Sequence, residues 1–136
     1  MSELIQKVFD HGQIPGSLEL AFVGDSVYDL YVRSHLVMEG GKVNALNKKA
    51  VAKVSAHGQS KSLERILPML SEEELAIVRR AKNTRQTPTK NADKVEYASA
   101  TALEALIGYL YLTNNTKRLK EILESAAGME GNNHGV

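Results

Sequence analysis

The chain has 136 residues, of which 43% are hydrophobic, with 17 basic and 16 acidic side chains giving a net charge of +1. That length and balance predict one soluble domain with an ordinary core, and they exclude affinity for nucleic acid through bulk charge; any such affinity must come from uneven distribution. The absence of cysteine excludes disulfides and thiolate metal sites, and the mixed, acid-bearing apolar runs exclude a signal peptide or a spanning helix, so a cytoplasmic protein is expected.

The helical period runs through almost the whole sequence. A short helix is expected near Glu3 to Asp10, then a turn from His11 to Gly16. Ser17 is the expected N-cap of a long helix ending at Gly40-Gly41. This helix is apolar nearly all round, the pattern of a bundle centre, except for a stripe of Asp25, Asp29 and Arg33 at i, i+4 spacing. Val43 to His57 carries apolar residues three and four apart, and a further helix from about Ser60 to Leu67 is halted near Pro68. Ser71-Glu-Glu-Glu74 reads as a capping box opening the next helix. Asn83 to Lys94 is the longest expected loop, Glu96 to Leu112 a second central helix, and Thr116 to Ala126 a last amphipathic one. No alternating strand is present, so the fold class is all-α, with residues 1–127 forming the domain and 128–136 an expected disordered tail.

Glu104 is the informative residue. It is the one charged side chain between Tyr97 and Thr116, and an ionised carboxylate among apolar neighbours needs a compensating partner. Asp25, in the apolar stretch Leu18 to Tyr31, is the obvious mate. Ala100 and Gly108 share the face of Glu104, and Ala21 and Gly24 adjoin Asp25, so the two helices can approach closely enough for both carboxylates to reach one hard cation, Mg²⁺ or Mn²⁺. Structural alternatives stand beside this: Asp25 capping a neighbouring helix, Glu104 paired with a buried arginine, and Asp29 with Arg33 as an intrahelical ion pair.

The basic residues favour the metal reading. Arg79, Arg80, Lys82, Arg85, Lys90 and Lys94 lead into the Glu104 helix against Asp93 alone, and Lys48, Lys49, Lys53, Lys61 and Arg65 form a second cluster. Scattered cations of this kind hold phosphate backbones, although a solvated face is their commoner role. Aromatic residues are scarce in both, which disfavours base stacking and favours a duplex read by shape.

Leu20-Ala-Phe-Val-Gly-Asp-Ser-Val27 resembles the signature helix of the ribonuclease III catalytic domain, and Leu103-Glu-Ala-Leu-Ile-Gly-Tyr-Leu-Tyr-Leu112 resembles that family's second acidic helix. The likeness covers the folded region and leaves nothing for an appended double-stranded-RNA-binding domain. With Val27-Tyr-Asp-Leu-Tyr-Val-Arg33, this is similar to the compact bacterial branch, Mini-ribonuclease III. The resemblance implies that Asp25 and Glu104 bind the catalytic metal, Mg²⁺ with Mn²⁺ as a substitute. It also implies a homodimer that cuts double-stranded RNA to 5′-phosphate products, with precursor large-subunit (23S) ribosomal RNA as the branch's substrate. Two family acids are missing here, replaced by Ala21 and Thr101, which implies a higher magnesium requirement; the Thr101 hydroxyl, and less so Asp29, are candidates for the outer shell of the metal. The family dimer packs through the signature-helix region, which makes Phe22 and Tyr28 candidates for that interface as well as for the core, and from sequence alone the core is the expected place for both. The loop from Thr84 to Lys94, with Arg85 and Lys90, is expected to contact phosphates. A noncatalytic RNA-binding scaffold is the alternative that the missing acids make conceivable.

Overall fold

The computed structural model describes residues 14–84 and 93–129, and in these segments the chain is built from six α-helices and one 3₁₀ turn. They are α1 (Ser17–Glu39), α2 (Val43–Val54), α3 (Ala56–Ile66), the 3₁₀ turn (Leu67–Met69), α4 (Glu72–Lys82), α5 (Lys94–Leu112) and α6 (Thr116–Ala127). The all-α expectation holds. The expected helix near Glu3 to Asp10 lies outside the described residues, as do Arg85 and Lys90 and most of the tail after Gly128.

Helix α5 is the axis of the bundle. From Ser99 to Leu112 every residue is buried except Glu104 and Tyr109, and α1, α3, α4 and α6 all pack on it. The most extensive interface is with α1, because both helices present glycine at the crossing. A methyl group on Gly24 would sit 1.7 Å from the Glu104 carbonyl oxygen, and one on Gly108 would sit 1.9 Å from that of Leu20. Only residues without a Cβ allow backbones so close.

Several expected boundaries shift, each for a local reason. Gly16 rather than Ser17 is the N-cap of α1, and Ser17 is the buried first helical residue. Gly40 ends the helix at φ 92°, a conformation open to glycine at little cost. The single helix expected from Val43 to His57 breaks at Ser55, whose hydroxyl accepts from the Gly58 N–H and so starts α3. Pro68 lies inside the 3₁₀ turn that closes α3. The capping box is present as expected: Ser71 Oγ accepts from the Glu74 N–H, and Glu74 accepts from the Ser71 N–H.

Glu74 also takes a two-pronged ion pair from Arg118 of α6, at 2.8 Å on each carboxylate oxygen, while the same guanidinium donates to the Met69 carbonyl at 2.7 Å. The Arg118 guanidinium holds the Glu74 carboxyl below the usual carboxylate range. This clip joins α6 to the start of α4.

One expectation about the core is corrected. Tyr28 is fully buried and donates or accepts at Ser62, but Phe22 is 82% exposed. Leu18, Leu30 and Val37 are exposed along the same side of α1. The all-round apolar character of α1 therefore has two causes. One face packs on α5, and the other carries Leu18, Phe22, Leu30 and Val37 among exposed polar and charged residues such as Ser26 and the Asp29–Arg33 pair, a surface that nothing within the described residues covers.

Candidate metal centre

The helix crossing determines what the acids can do. Gly24 rests against the backbone of Glu104, so the next residue, Asp25, projects its carboxyl beside that of Glu104, within hydrogen-bonding reach. The two acids singled out in the sequence thus meet, although unequally: Glu104 is half-buried and Asp25 is exposed at the mouth. Burial pushes the Glu104 carboxyl up to about 8, the negative charge of Asp25 and the carboxyl contact add to the rise, and a hydrogen bond from Gln59 opposes it. Two facing oxygen donors whose charges destabilise each other suit a hard divalent cation, which would reverse that cost.

Among the described residues no group of three or more acids or histidines could hold a metal. An ion between Asp25 and Glu104 would therefore complete its coordination mainly with water or substrate oxygens, the habit of Mg²⁺. Thr101, one turn before Glu104, is buried. Asp29 accepts from Arg33 at 2.8 Å, the intrahelical pair that its spacing suggested.

Sequence reasoning missed Gln59. It is 1% exposed on α3, and its Nε2 donates to Glu104 Oε2 and to the Val54 carbonyl, both at 3.0 Å. The available signal was a polar residue in register with Leu63 and Ile66, the buried face of an amphipathic helix.

The cations divide. Arg79, Arg80 and Lys82 are exposed in the last turn of α4, where they also complement the helix dipole, and Lys94 is exposed at the start of α5. In the second cluster Lys53 donates to the Ala127 carbonyl and Arg65 to that of Ala126, so these two cap α6; Lys48, Lys49 and Lys61 are exposed.

The raised Glu104 carboxyl gives a pH dependence with a definite sign. Between the ordinary carboxylate value of about 4.5 and about 8, the folded chain holds a proton that the unfolded chain has released. Stability of the metal-free protein should fall as pH rises through that window and level off above it. Melting curves in EDTA from pH 5 to 8.5 should show a downward slope that Glu104→Gln removes; an equal slope in both proteins would refute it.

Comparison with known proteins identifies the family of the chain. The family model for the ribonuclease III domain matches residues 18–115, which include both acids. A protein named Mini-ribonuclease 3 from a Thermoanaerobacter species is 48% identical over 109 residues, 79% of this chain and 77% of the relative. Another Mini-ribonuclease 3, from Brevibacillus brevis, is 47% identical over 111 residues, 80% of this chain and 83% of the relative. A crystal structure of a protein from Fusobacterium nucleatum superposes with a TM-score of 0.73 at 39% identity, covering 80% of this chain and 88% of that one. The chain belongs to the ribonuclease III domain family, in its Mini-ribonuclease 3 branch.

Proposed function

We propose that the protein is a metal-dependent endoribonuclease that cuts double-stranded RNA, with precursor 23S ribosomal RNA as its substrate. The observation that carries this reading is the convergence of Asp25 and Glu104 across the glycine crossing of α1 and α5. Family membership gives the reaction class, and the named relatives are themselves ribonucleases.

In this reading Asp25 and Glu104 hold Mg²⁺, with Mn²⁺ as a substitute. The bound ion would polarise the scissile phosphate and lower the pKa of the attacking water. Hydrolysis leaves a 5′-phosphate and a 3′-hydroxyl. Arg79, Arg80, Lys82 and Lys94, together with Arg85 and Lys90 outside the described residues, bind the phosphate backbone, and the scarcity of aromatics among them fits recognition by duplex shape. No helix among the described residues is long and apolar enough to cross a membrane, and the proposed setting is the cytoplasm.

The test uses a long RNA duplex, a transcript containing the precursor 23S stem, the matching single strand and the DNA duplex, each with Mg²⁺ or EDTA. Magnesium-dependent cutting confined to duplex RNA is expected. Binding of duplex without cutting would move the protein to the scaffold reading, which Ala21 and Thr101 at two family acid positions make conceivable.

The protein works as a homodimer in this proposal, through the exposed side of α1 bearing Leu18, Phe22, Leu30 and Val37. An aromatic side chain left 82% exposed beside other apolar residues is what an interface anchor looks like in an isolated chain. Phe22→Glu should weaken self-association by at least ~100-fold, read by light scattering as a shift from dimer to monomer. A wild type that is monomeric at high micromolar concentration would overturn this part.

A further inference from the structure

Gln59 is buried without an obvious packing reason. It lies on the inner face of α3 between Ser55 and Leu63, where an apolar side chain of similar length would fill the same space. Its Oε1 is buried and accepts no hydrogen bond among the described residues. That arrangement is unfavourable, because a desolvated carbonyl normally recovers a partner.

The amide nitrogen explains the residue. Both of its hydrogens are used, one on the Val54 carbonyl and one on Glu104 Oε2. The Val54 carbonyl can only accept, so the nitrogen must face it, and a flipped amide would set oxygen against oxygen. The orientation that serves Glu104 is thus dictated by the backbone at the end of α2. The support is stiff as well. Ser55 caps α3, and a methyl group on Gly58 would lie 2.1 Å from the Ala52 carbonyl oxygen, so the corner that carries Gln59 is packed backbone to backbone.

We propose that Gln59 is a positioning residue for the metal centre: it ties up one oxygen of Glu104 from a rigid corner and leaves the carboxylate aimed at Asp25. The inference rests on the metal-dependent function proposed above. It accounts for how a centre with two carboxylates among the described residues keeps one of them in place, since this chain has Ala21 and Thr101 where further acids would share the task. Partners that orient a ligand typically matter about 10- to 100-fold in metal affinity.

The test is Gln59→Met, which keeps length and bulk while removing both N–H donors, studied in the full chain. Mn²⁺ affinity is measured by electron paramagnetic resonance without RNA, and the magnesium dependence of duplex cleavage is measured separately. Mn²⁺ affinity should fall about tenfold, and half-saturation in Mg²⁺ should rise by a similar factor, with most of the rate recovered at saturating metal. In a Glu104→Gln background the same substitution should change Mn²⁺ binding no further. If Gln59→Met fails to fold, Gln59→Asn, one methylene too short to span both acceptors, is read in the same way. Unchanged Mn²⁺ affinity in a folded variant, whether or not its melting temperature falls, would show that Gln59 merely caps Val54 and would overturn the inference. A wild type that neither binds Mn²⁺ nor cuts RNA would instead sink the proposed function itself.

Discussion

Asp25→Asn and Glu104→Gln should each lower the rate of duplex RNA cleavage by about three orders of magnitude, equivalent to about 4 kcal/mol of lost transition-state stabilisation. The two should differ in stability. Asp25 is exposed, so its substitution relieves the repulsion alone and should raise the metal-free melting temperature less than substitution of Glu104 does. Glu104 is half-buried against the charge of Asp25, and removing its charge relieves both desolvation and repulsion. Metal-free Glu104→Gln should therefore melt higher than wild type at pH 8 while being nearly inactive, a gain in stability at the expense of function. Duplex RNA binding, measured in EDTA at pH 7, should change little in either, since Asp25→Asn removes a single charge and the Glu104 carboxyl, raised to about 8, is already mostly neutral without metal. A folded Asp25→Asn protein that still cuts at wild-type rate would remove Asp25 from the site.

Gly24→Ala should be the most damaging small substitution in the chain. The added carbon would lie 1.7 Å from the Glu104 carbonyl oxygen, a contact with backbone that no rotamer change can relieve, so α1 and α5 must move apart along their main interface. We expect a loss of about 3 kcal/mol, and from the size of the chain a melting temperature lower by on the order of 10 °C. Because the obstructing oxygen belongs to Glu104, any fold that survives should also hold the two carboxyls further apart, and Mn²⁺ affinity should drop in the folded fraction. A melting temperature within two or three degrees of wild type would mean that the crossing is looser than its geometry indicates.

How much of this was legible in the sequence depends on what each residue contrasts with. Glu104 stood out because one charge in an apolar helix is rare, and the small residues Gly24 and Gly108 announced a close crossing because little else explains glycine within helices. Ser71 and Glu74 were readable since a capping box is a local motif, satisfied within four residues of chain. Phe22 was not readable, because an all-round apolar helix looks the same whether its second face meets its own core or another molecule. Gln59 was hidden for the opposite reason: it lies in the polar run His57 to Ser62, where one more polar residue draws no notice, and its partner on α5 is 45 positions away. The break at Ser55 was obscured because the apolar period runs up to Val54 and a lone serine draws no notice in a helical pattern.

Helices α1 and α5, which bring Asp25 and Glu104 together, are separated in the chain by α2, α3 and α4. During synthesis, α1 is made before α2, α3 and α4, and it has no α5 to pack against until all three have been made. The carboxylate pair is thus assembled late, and a nascent chain that has not yet released α5 lacks the site altogether. Until then the glycine-lined face of α1 and its outward row of Leu18, Phe22, Leu30 and Val37 are both uncovered. Synthesis up to α5 is thus an interval in which both faces are open to misassociation, and completion of α5 ends it for one of them.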